Sequence, residues 1–286
     1  MVYENDNDFG DIDVIPLSTK VSDPMSPSQK IDRNSISHLG NEQQTELLAV
    51  LDRYPECYLD VPGLKDVITH SIPFVPGFKP KRLHAYRVPE RLKPEVDTQI
   101  QEMLDNGIIR PSRSPMAGSL VCVLKGKKGW DTSDDAYQLP DISSVFQRIG
   151  RCNVITFAYC KAGYWQISML EEDKWLTAFV CDAGLFDFNG AFFGLKGSGN
   201  TFVRAIDIIL SFLRKYTGSF VDDVAVHSHQ WKEHMNHLYR FLAVIKKYGI
   251  ILSLKKCRYA QSQVNFCGEI TGSGKRFTDP GKLQVM

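Results

Sequence analysis

The sequence predicts an α+β fold, on three observations. Apolar residues recur at helical spacing in some stretches and alternate or run briefly in others. The two kinds of stretch are interspersed without any internal repeat, and turn residues separate them at short intervals. Of the 286 residues, 43% are hydrophobic and 11% aromatic, enough for a substantial core, which excludes a chain disordered throughout. No apolar run approaches the roughly 18 residues of a membrane span, and acidic residues follow Met1, so neither a membrane nor a secreted protein is expected.

In chain order, residues 1–40 are rich in Asp, Asn, Ser and Pro without apolar period, which predicts a flexible acidic leader. Asn41 and Gln44 supply an N-cap and capping-box pair for a helix with Leu47, Leu48 and Leu51 on one face. Pro55, Pro62, Pro73, Pro76, Pro80 and Pro89 make the rest of 41–92 a Pro-rich strap of extended backbone. Val96, Ile100, Met103 and Leu104 mark a second helix, stopped at Asn106-Gly107.

Ser119 to Leu124 reads as a strand running into the basic turn Lys125-Gly126-Lys127-Lys128-Gly129. Asp141 to Ile149 predicts a short helix with Ile142, Val145, Phe146 and Ile149 inward. Segments 153–170 and 176–188 read as strands broken by the acidic turn Glu171-Glu172-Asp173. A helix follows over about 200–215 through Phe202, Ile206, Ile209, Leu210 and Leu213. Residues 218–227 have a strand–turn–strand pattern, and 231–248 an amphipathic helix through Leu238, Phe241, Leu242 and Ile245.

The net charge of +1 conceals an asymmetry. Residues 1–60 carry a net −8 and the remainder a net +9. A basic body is compatible with nucleic-acid binding, because Lys and Arg displace phosphate counterions, and equally with an ordinary solvated surface. Seven cysteines (57, 122, 152, 160, 181, 257, 267) show no CxxC or paired spacing, which predicts reduced thiols in an intracellular compartment, cytoplasm and/or nucleus.

The most informative local run is Ser219-Phe220-Val221-Asp222-Asp223-Val224-Ala225-Val226. Asp222 and Asp223 fall at the bend of a hairpin between β-branched and aromatic runs. Adjacent like charges are costly unless a cation neutralises them, and hard oxygen ligands suit Mg²⁺. On the dipeptide alone, a simple polar turn is the better explanation of the pair. His227, His229, His234 and His237 with Glu233 have no zinc spacing and read as a solvated helix start. Lys79, Lys81 and Arg82, and Lys125, Lys127 and Lys128 with Trp130, are candidate phosphate and single-strand contacts.

Taken together, Gly163-Tyr164-Trp165-Gln166-Ile167, Glu171-Glu172-Asp173, Thr177-Ala178-Phe179-Val180, Phe193-Gly194-Leu195-Lys196, Phe220-Val221-Asp222-Asp223, Trp231-Lys232-Glu233-His234 and Lys255-Lys256-Cys257 closely resemble the reverse transcriptase of gypsy-type LTR retrotransposon Pol polyproteins. Order and spacing agree from about Asn41 to Met286. The resemblance implies a right-hand polymerase, with fingers and palm over 93–270 and the start of a truncated thumb or connection over 271–286. It implies RNA-directed DNA synthesis by two-metal nucleotidyl transfer, with Mg²⁺ (Mn²⁺ as alternative) as cofactor. An RNA or DNA primer–template and deoxynucleoside triphosphates would be its partners.

Residue by residue, Asp222 and Asp223 would be metal-binding catalytic carboxylates, Tyr164 the gate against a ribose 2′-hydroxyl, and Phe193 and Gly194 part of the nucleotide pocket. The family's third carboxylate lies five residues before the gate tyrosine, where this chain has Tyr159. A phenol with an unperturbed pKa near 10 is a poor Mg²⁺ ligand at neutral pH. Between Trp130 and Asp135 a fingers strand of the family is lacking, Phe192 replaces a Pro, and Cys267 and Glu269 replace Leu and His. These departures predict a degenerate, truncated copy with impaired catalysis, or a remnant that only binds nucleic acid or a partner.

Overall fold

The computed structural model describes residues 26–60, 65–73, 77–120, 142–192, 194–266 and 269–278. In chain order these form helix α1 (Pro27–Lys30), helix α2 (Asn41–Leu51), strand β1 (Lys65–His70), helix α3 (Lys93–Asp105), and strands β2 (Ile109–Pro111) and β3 (Gly118–Ser119). Helix α4 (Ile142–Gly150), β4 (Val154–Tyr159), β5 (Ile167–Met169), β6 (Phe179–Cys181) and β7 (Gly184–Phe188) follow. Helix α5 (Ser198–Ile209), the hairpin β8 (Thr217–Phe220) and β9 (Asp223–Ser228), helix α6 (Trp231–Tyr248) and strands β10 (Arg258–Gln261), β11 (Val264–Phe266), β12 (Glu269–Gly272) and β13 (Lys275–Thr278) complete it.

A four-stranded antiparallel sheet in the order β10-β4-β9-β8 is the platform of the molecule. Its inner strands are covered on both faces, so they read as runs of small and branched residues rather than as strict alternation. Ala158, Val224 and Val226 pack with Phe202, Ile206, Leu238 and Phe241 of α5 and α6. Ile155 and Ala225 pack with Val145, Phe146 and Ile149 of α4 and with Phe266 of β11. The approach of α4 is close: a side chain at Gly218 would place its Cβ 2.6 Å from Val145 Cγ1.

A second sheet, β2-β7-β6-β3, packs with α3 through Ile100, Ile109, Phe179 and Phe186. Its cross-strand pair Arg110–Asp187 is an ion pair of 2.8 Å, extended by Arg110 to Glu171 at 2.6 Å. Strand β1 pairs in parallel with β5, and β11-β12-β13 form a small antiparallel sheet.

Several sequence expectations are corrected. The expected capping box of α2 does not form: the N-cap is Gly40, which has no side chain to cap with, and only the returning half is present, Gly40 N–H donating to Gln43 Oε1 (3.1 Å), while Gln44 donates to the Leu39 carbonyl. Segment 153–170 is two strands, because Gly163–Gln166 turn as a 3₁₀-helix entered through Ala162 at φ 48°. Glu171–Thr177 is likewise a 3₁₀-helix. Helix α5 ends at Ile209, and Ser211–Leu213 continue as a 3₁₀ turn. The helix 231–248 and the hairpin around Asp222-Asp223 stand as expected.

The expected strand end at 121–124, the basic turn with Lys125, Lys127, Lys128 and Trp130, and the shortened stretch at 131–135 lie outside the described residues, as do Phe193 and Cys267. So do residues 1–25 and the segment from 279. The rest of the expected flexible leader is ordered, with Ile31, Ile36 and Leu39 buried in the core beside α2. No described helix is long and apolar enough to cross a membrane.

Candidate active site

The hairpin β8–β9 brings the two aspartates to the edge of the platform. Phe220 pairs with Asp223, and Val221, at φ 51°, and Asp222 form the two-residue bend. Positive φ at a β-branched residue is uncommon and is held here by the strands on either side. On the other flank of β9, strand β4 runs antiparallel and places Tyr159 directly across from Asp223. The position the sequence singled out as lacking a carboxylate is thus the cross-strand neighbour of the pair.

Around this edge the backbone is closely tied. Cys160 N–H donates to the Asp222 carbonyl (2.8 Å), Ser253 N–H to the Tyr159 carbonyl (2.9 Å) and Lys161 N–H to the Ile251 carbonyl (2.9 Å). Gln166, fully buried, closes the arrangement. Its amide donates to the carbonyls of Lys161 (2.7 Å) and Ile251 (3.1 Å), and its Oε1 accepts from Ile251 N–H (2.8 Å). The turn carrying Tyr164 is therefore pinned to the segment that leads to Lys256.

Asp222 turns its Oδ1 toward that same turn: a Cβ on Gly163 would lie 2.6 Å from this oxygen and 2.7 Å from Phe202 Cζ. Only a glycine fits there. Asp222 Oδ1 is buried and has no hydrogen-bond partner among the described residues. Burial raises the Asp222 carboxyl to about 6, with Lys256 pulling the other way. Asp223 is also raised to about 6, by burial and then by the Asp222 charge, again opposed by Lys256. Tyr159 is pushed up to about 12 by burial, then by Asp222 and Asp223, so its phenol stays neutral. The Lys256 ammonium lies 4.1 Å from the Tyr159 ring centroid. Cation and ring attract through the ring quadrupole, which holds a positive charge beside the carboxylates.

This arrangement can be tested against a divalent cation. Two adjacent half-buried carboxylates, one with an orphaned buried oxygen, suit a hard cation, which would relieve the burial penalty on both. The third corner does not suit it, since a neutral phenol offers no anionic oxygen. Among the described residues no three His, Cys, Asp or Glu side chains gather into a metal site.

The other expected site residues are placed as follows. Tyr164 is half-buried, edge-on to Phe202 at 5.9 Å, beside the Asp222 bend. Trp165 points the other way and packs with the second sheet, the core role that suits an aromatic there. Gly194 sits at φ 88° in the turn before α5, with open space where a side chain would be. Phe192, in place of the expected Pro, stacks on Phe188 of β7 at 4.2 Å. The histidines are a correction: His227 and His234 are buried rather than on a solvated face. His234 lies one helical turn before Leu238 on the inward stripe of α6, and Thr156 and Ser228 hydroxyls satisfy both of its ring nitrogens.

Lys256, Gln166 and Gly163 are the residues whose structural roles motif reading left unassigned. Gly163 carried a legible signal, a glycine opening an aromatic-rich turn. Nothing in the sequence marks Lys256 as lying over Tyr159.

Residues 110–270 match the sequence family described as reverse transcriptase (RNA-dependent DNA polymerase). The enzymatic polyprotein of Figwort mosaic virus (strain DxS) is 34% identical over 185 residues, 59% of this chain and 28% of that protein. The retrovirus-related Pol polyprotein from transposon opus of Drosophila melanogaster is 32% identical over 219 residues, 71% of this chain and 22% of that protein. Among solved structures, the foamy viral protease-reverse transcriptase in complex with RNA/DNA hybrid superposes with a TM-score of 0.77 at 19% identity, over 90% of this chain and 37% of that one. At that identity the likeness is one of fold, and it bears out the palm-and-fingers architecture. The chain spans less than a third of the length of these two curated relatives.

Proposed function

The chain belongs to the reverse transcriptase family, and from that premise we propose that it is the fingers and palm of a gypsy-type LTR retrotransposon polymerase whose chemistry is impaired. The observation that carries this reading is Tyr159 standing across from Asp223 with its phenol held neutral.

In this reading Asp222 and Asp223 would hold Mg²⁺, or Mn²⁺. The chemistry such an ion supplies is activation of a primer 3′-hydroxyl and stabilisation of the leaving pyrophosphate. Asp222 is positioned by the Gly163 turn, so the bend that binds the ion and the turn that carries Tyr164 share one boundary. Tyr164 excludes a 2′-hydroxyl, Phe193 and Gly194 line the nucleotide, and Lys125, Lys127, Lys128 and Trp130 contact nucleic acid. Tyr159 leaves the ion short of one anionic ligand, and Lys256 beside it repels a second cation. The partners are an RNA or DNA primer–template and deoxynucleoside triphosphates, met in the cytoplasm and/or nucleus. The domain plan is a leader over 1–40, packed on the core from residue 26 onward, helix and strap over 41–92, fingers and palm over 93–270 and a thumb start over 271–286. A non-catalytic remnant that binds nucleic acid or a partner is the second reading, favoured by the same neutral phenol.

Primer extension on an RNA template, with Mg²⁺ or Mn²⁺, compares wild type, Tyr159→Asp and Asp222→Ala. The expected result is little or no incorporation by wild type and a gain in Tyr159→Asp. Robust wild-type incorporation that is lost in Asp222→Ala would overturn the impairment. Binding of a primer–template that weakens with salt supports a nucleic-acid partner, and a flat salt response refutes it.

A further inference from the structure

The far end of β9 carries a second concentration of ionisable groups that the polymerase reading does not use. Four residues along the strand separate Asp223 from His227, roughly 14 Å at about 3.4 Å per residue. There a cavity of about 490 Å³ opens between the end of α4, the residues before β8, the end of β9 and the first turns of α6. Its volume lies within the range typical of small-ligand sites, about 300–1,000 Å³.

The lining is strongly cationic. Arg148, Arg151, Lys215 and Arg240 face a single carboxylate, Glu233, a local balance of +3 with the histidines left aside. Arg148 spends one guanidinium nitrogen on the carbonyls of Arg214 and Thr217, which fixes it against the wall. Arg151, Lys215 and Arg240 form no ion pair among the described residues. His227, 6% exposed, also lines the cavity. Its Nδ1 lies 3.4 Å from Cys152 Sγ, while its Nε2 has no partner among the described residues. Burial, with Arg148 next, lowers His227 to about 4, so the ring is a neutral group within a positive field.

We propose that this cavity binds a small, multiply charged phosphate compound, such as pyrophosphate or a nucleoside diphosphate. Guanidinium forks match phosphate oxygens in pairs, and an anion of two or more charges balances the cationic excess. Contributions from three separate elements converging on one concavity suit a compact ligand. A strand of nucleic acid is instead tracked by a row of cations along a groove. The proposal is independent of whether the hairpin site is active.

The test is calorimetric titration of the intact chain with inorganic phosphate, pyrophosphate and adenosine diphosphate in EDTA, which keeps divalent ions from the hairpin. Saturable binding of at least one probe, one per chain, is expected. It should weaken at least about tenfold in Arg151→Gln/Arg240→Gln and also fall in Lys215→Gln, with circular dichroism unchanged. It should not change in Asp222→Asn/Asp223→Asn. Failure of all three probes to saturate at millimolar concentration overturns the proposal, as does binding indifferent to the arginine pair. A single-stranded oligonucleotide forms the last arm. If only its binding responds to the arginine pair, the cavity is a nucleic-acid contact and the proposal also fails.

Discussion

Protonation of His234 sets a measurable limit on acid stability. The ring is fully buried between β4 and α6, with Thr156 Oγ1 2.7 Å from Nε2 and Ser228 Oγ 3.1 Å from Nδ1. Ala260 N–H donates to Thr156 Oγ1, so that hydroxyl is free to donate to Nε2. His234 Nδ1–H then donates to Ser228, which donates on to His237 Nδ1 at 2.8 Å. A second ring proton would meet a hydroxyl already donating toward it. Burial, then His237 and His227, lowers the group from 6.5 to about 3. Its folded value is depressed, so the stabilisation is fully present above pH 6.5 and is lost as pH falls toward 3. Each pH unit below 6.5 costs about 1.4 kcal/mol, hence about 2 kcal/mol between pH 7.5 and 5. Asp222 and Asp223, both raised, contribute with opposite sign between about 6 and 4, so the wild-type curve alone does not isolate the histidine. The informative quantity is the difference between wild type and His234→Gln, whose amide keeps polar contact with the two hydroxyls but does not titrate. Urea unfolding at pH 7.5 and 5 should show wild type losing about 2 kcal/mol more than the variant. Parallel losses, within about 0.5 kcal/mol, would refute the buried neutral ring.

Four further outcomes follow from the hairpin site. Gly163→Ala pushes a Cβ against Asp222 Oδ1 and Phe202, and should cost about 1–3 kcal/mol in chemical denaturation; an unchanged midpoint would show that the turn can shift freely. Gln166→Leu strands the Ile251 N–H and the Lys161 carbonyl, while the Ile251 carbonyl keeps Lys161 N–H, with an expected loss of about 2–3 kcal/mol and a rise in amide exchange at Ile251; normal protection there counts against the staple. Tyr159→Asp should melt below wild type in EDTA, since it adds a third carboxylate, yet gain a larger Mg²⁺-dependent stabilisation, approaching about 2.7 kcal/mol at a hundredfold excess over Kd; equal Mg²⁺ responses in both proteins would refute a role for the phenol in limiting metal binding. Lys256→Ala should raise the Asp222 and Asp223 titrations above about 6, readable by carboxylate NMR, and a downward shift would exclude Lys256 as their counter-charge.

The long, strongly patterned elements were legible in the sequence. Helix α6 follows from Leu238, Phe241, Leu242 and Ile245, and the β8–β9 hairpin from a polar pair between apolar runs. The strand assumed over 153–170 failed because apolar composition alone does not register a change of backbone direction, which Ala162 and Gly163 bring about locally. His234 was misread by residue type, although extending the α6 stripe back four residues places it inward. The partner groups that satisfy it, Thr156 and Ser228, come from other elements and have no sequence-local signature. Tyr159 was legible as a position, from its distance to Tyr164. Its pairing with Lys256 was not, because 97 residues separate them and only the β10-β4-β9 sheet brings them together.

The Gln166 staple bears on how such a chain can drift. Its three hydrogen bonds and the Cys160–Asp222 backbone bond hold the site's outline without using a single carboxylate oxygen. Shape and chemistry are therefore maintained by different atoms. Loss of a catalytic carboxylate leaves every one of these scaffold contacts in place, so a lineage can shed turnover and still fold.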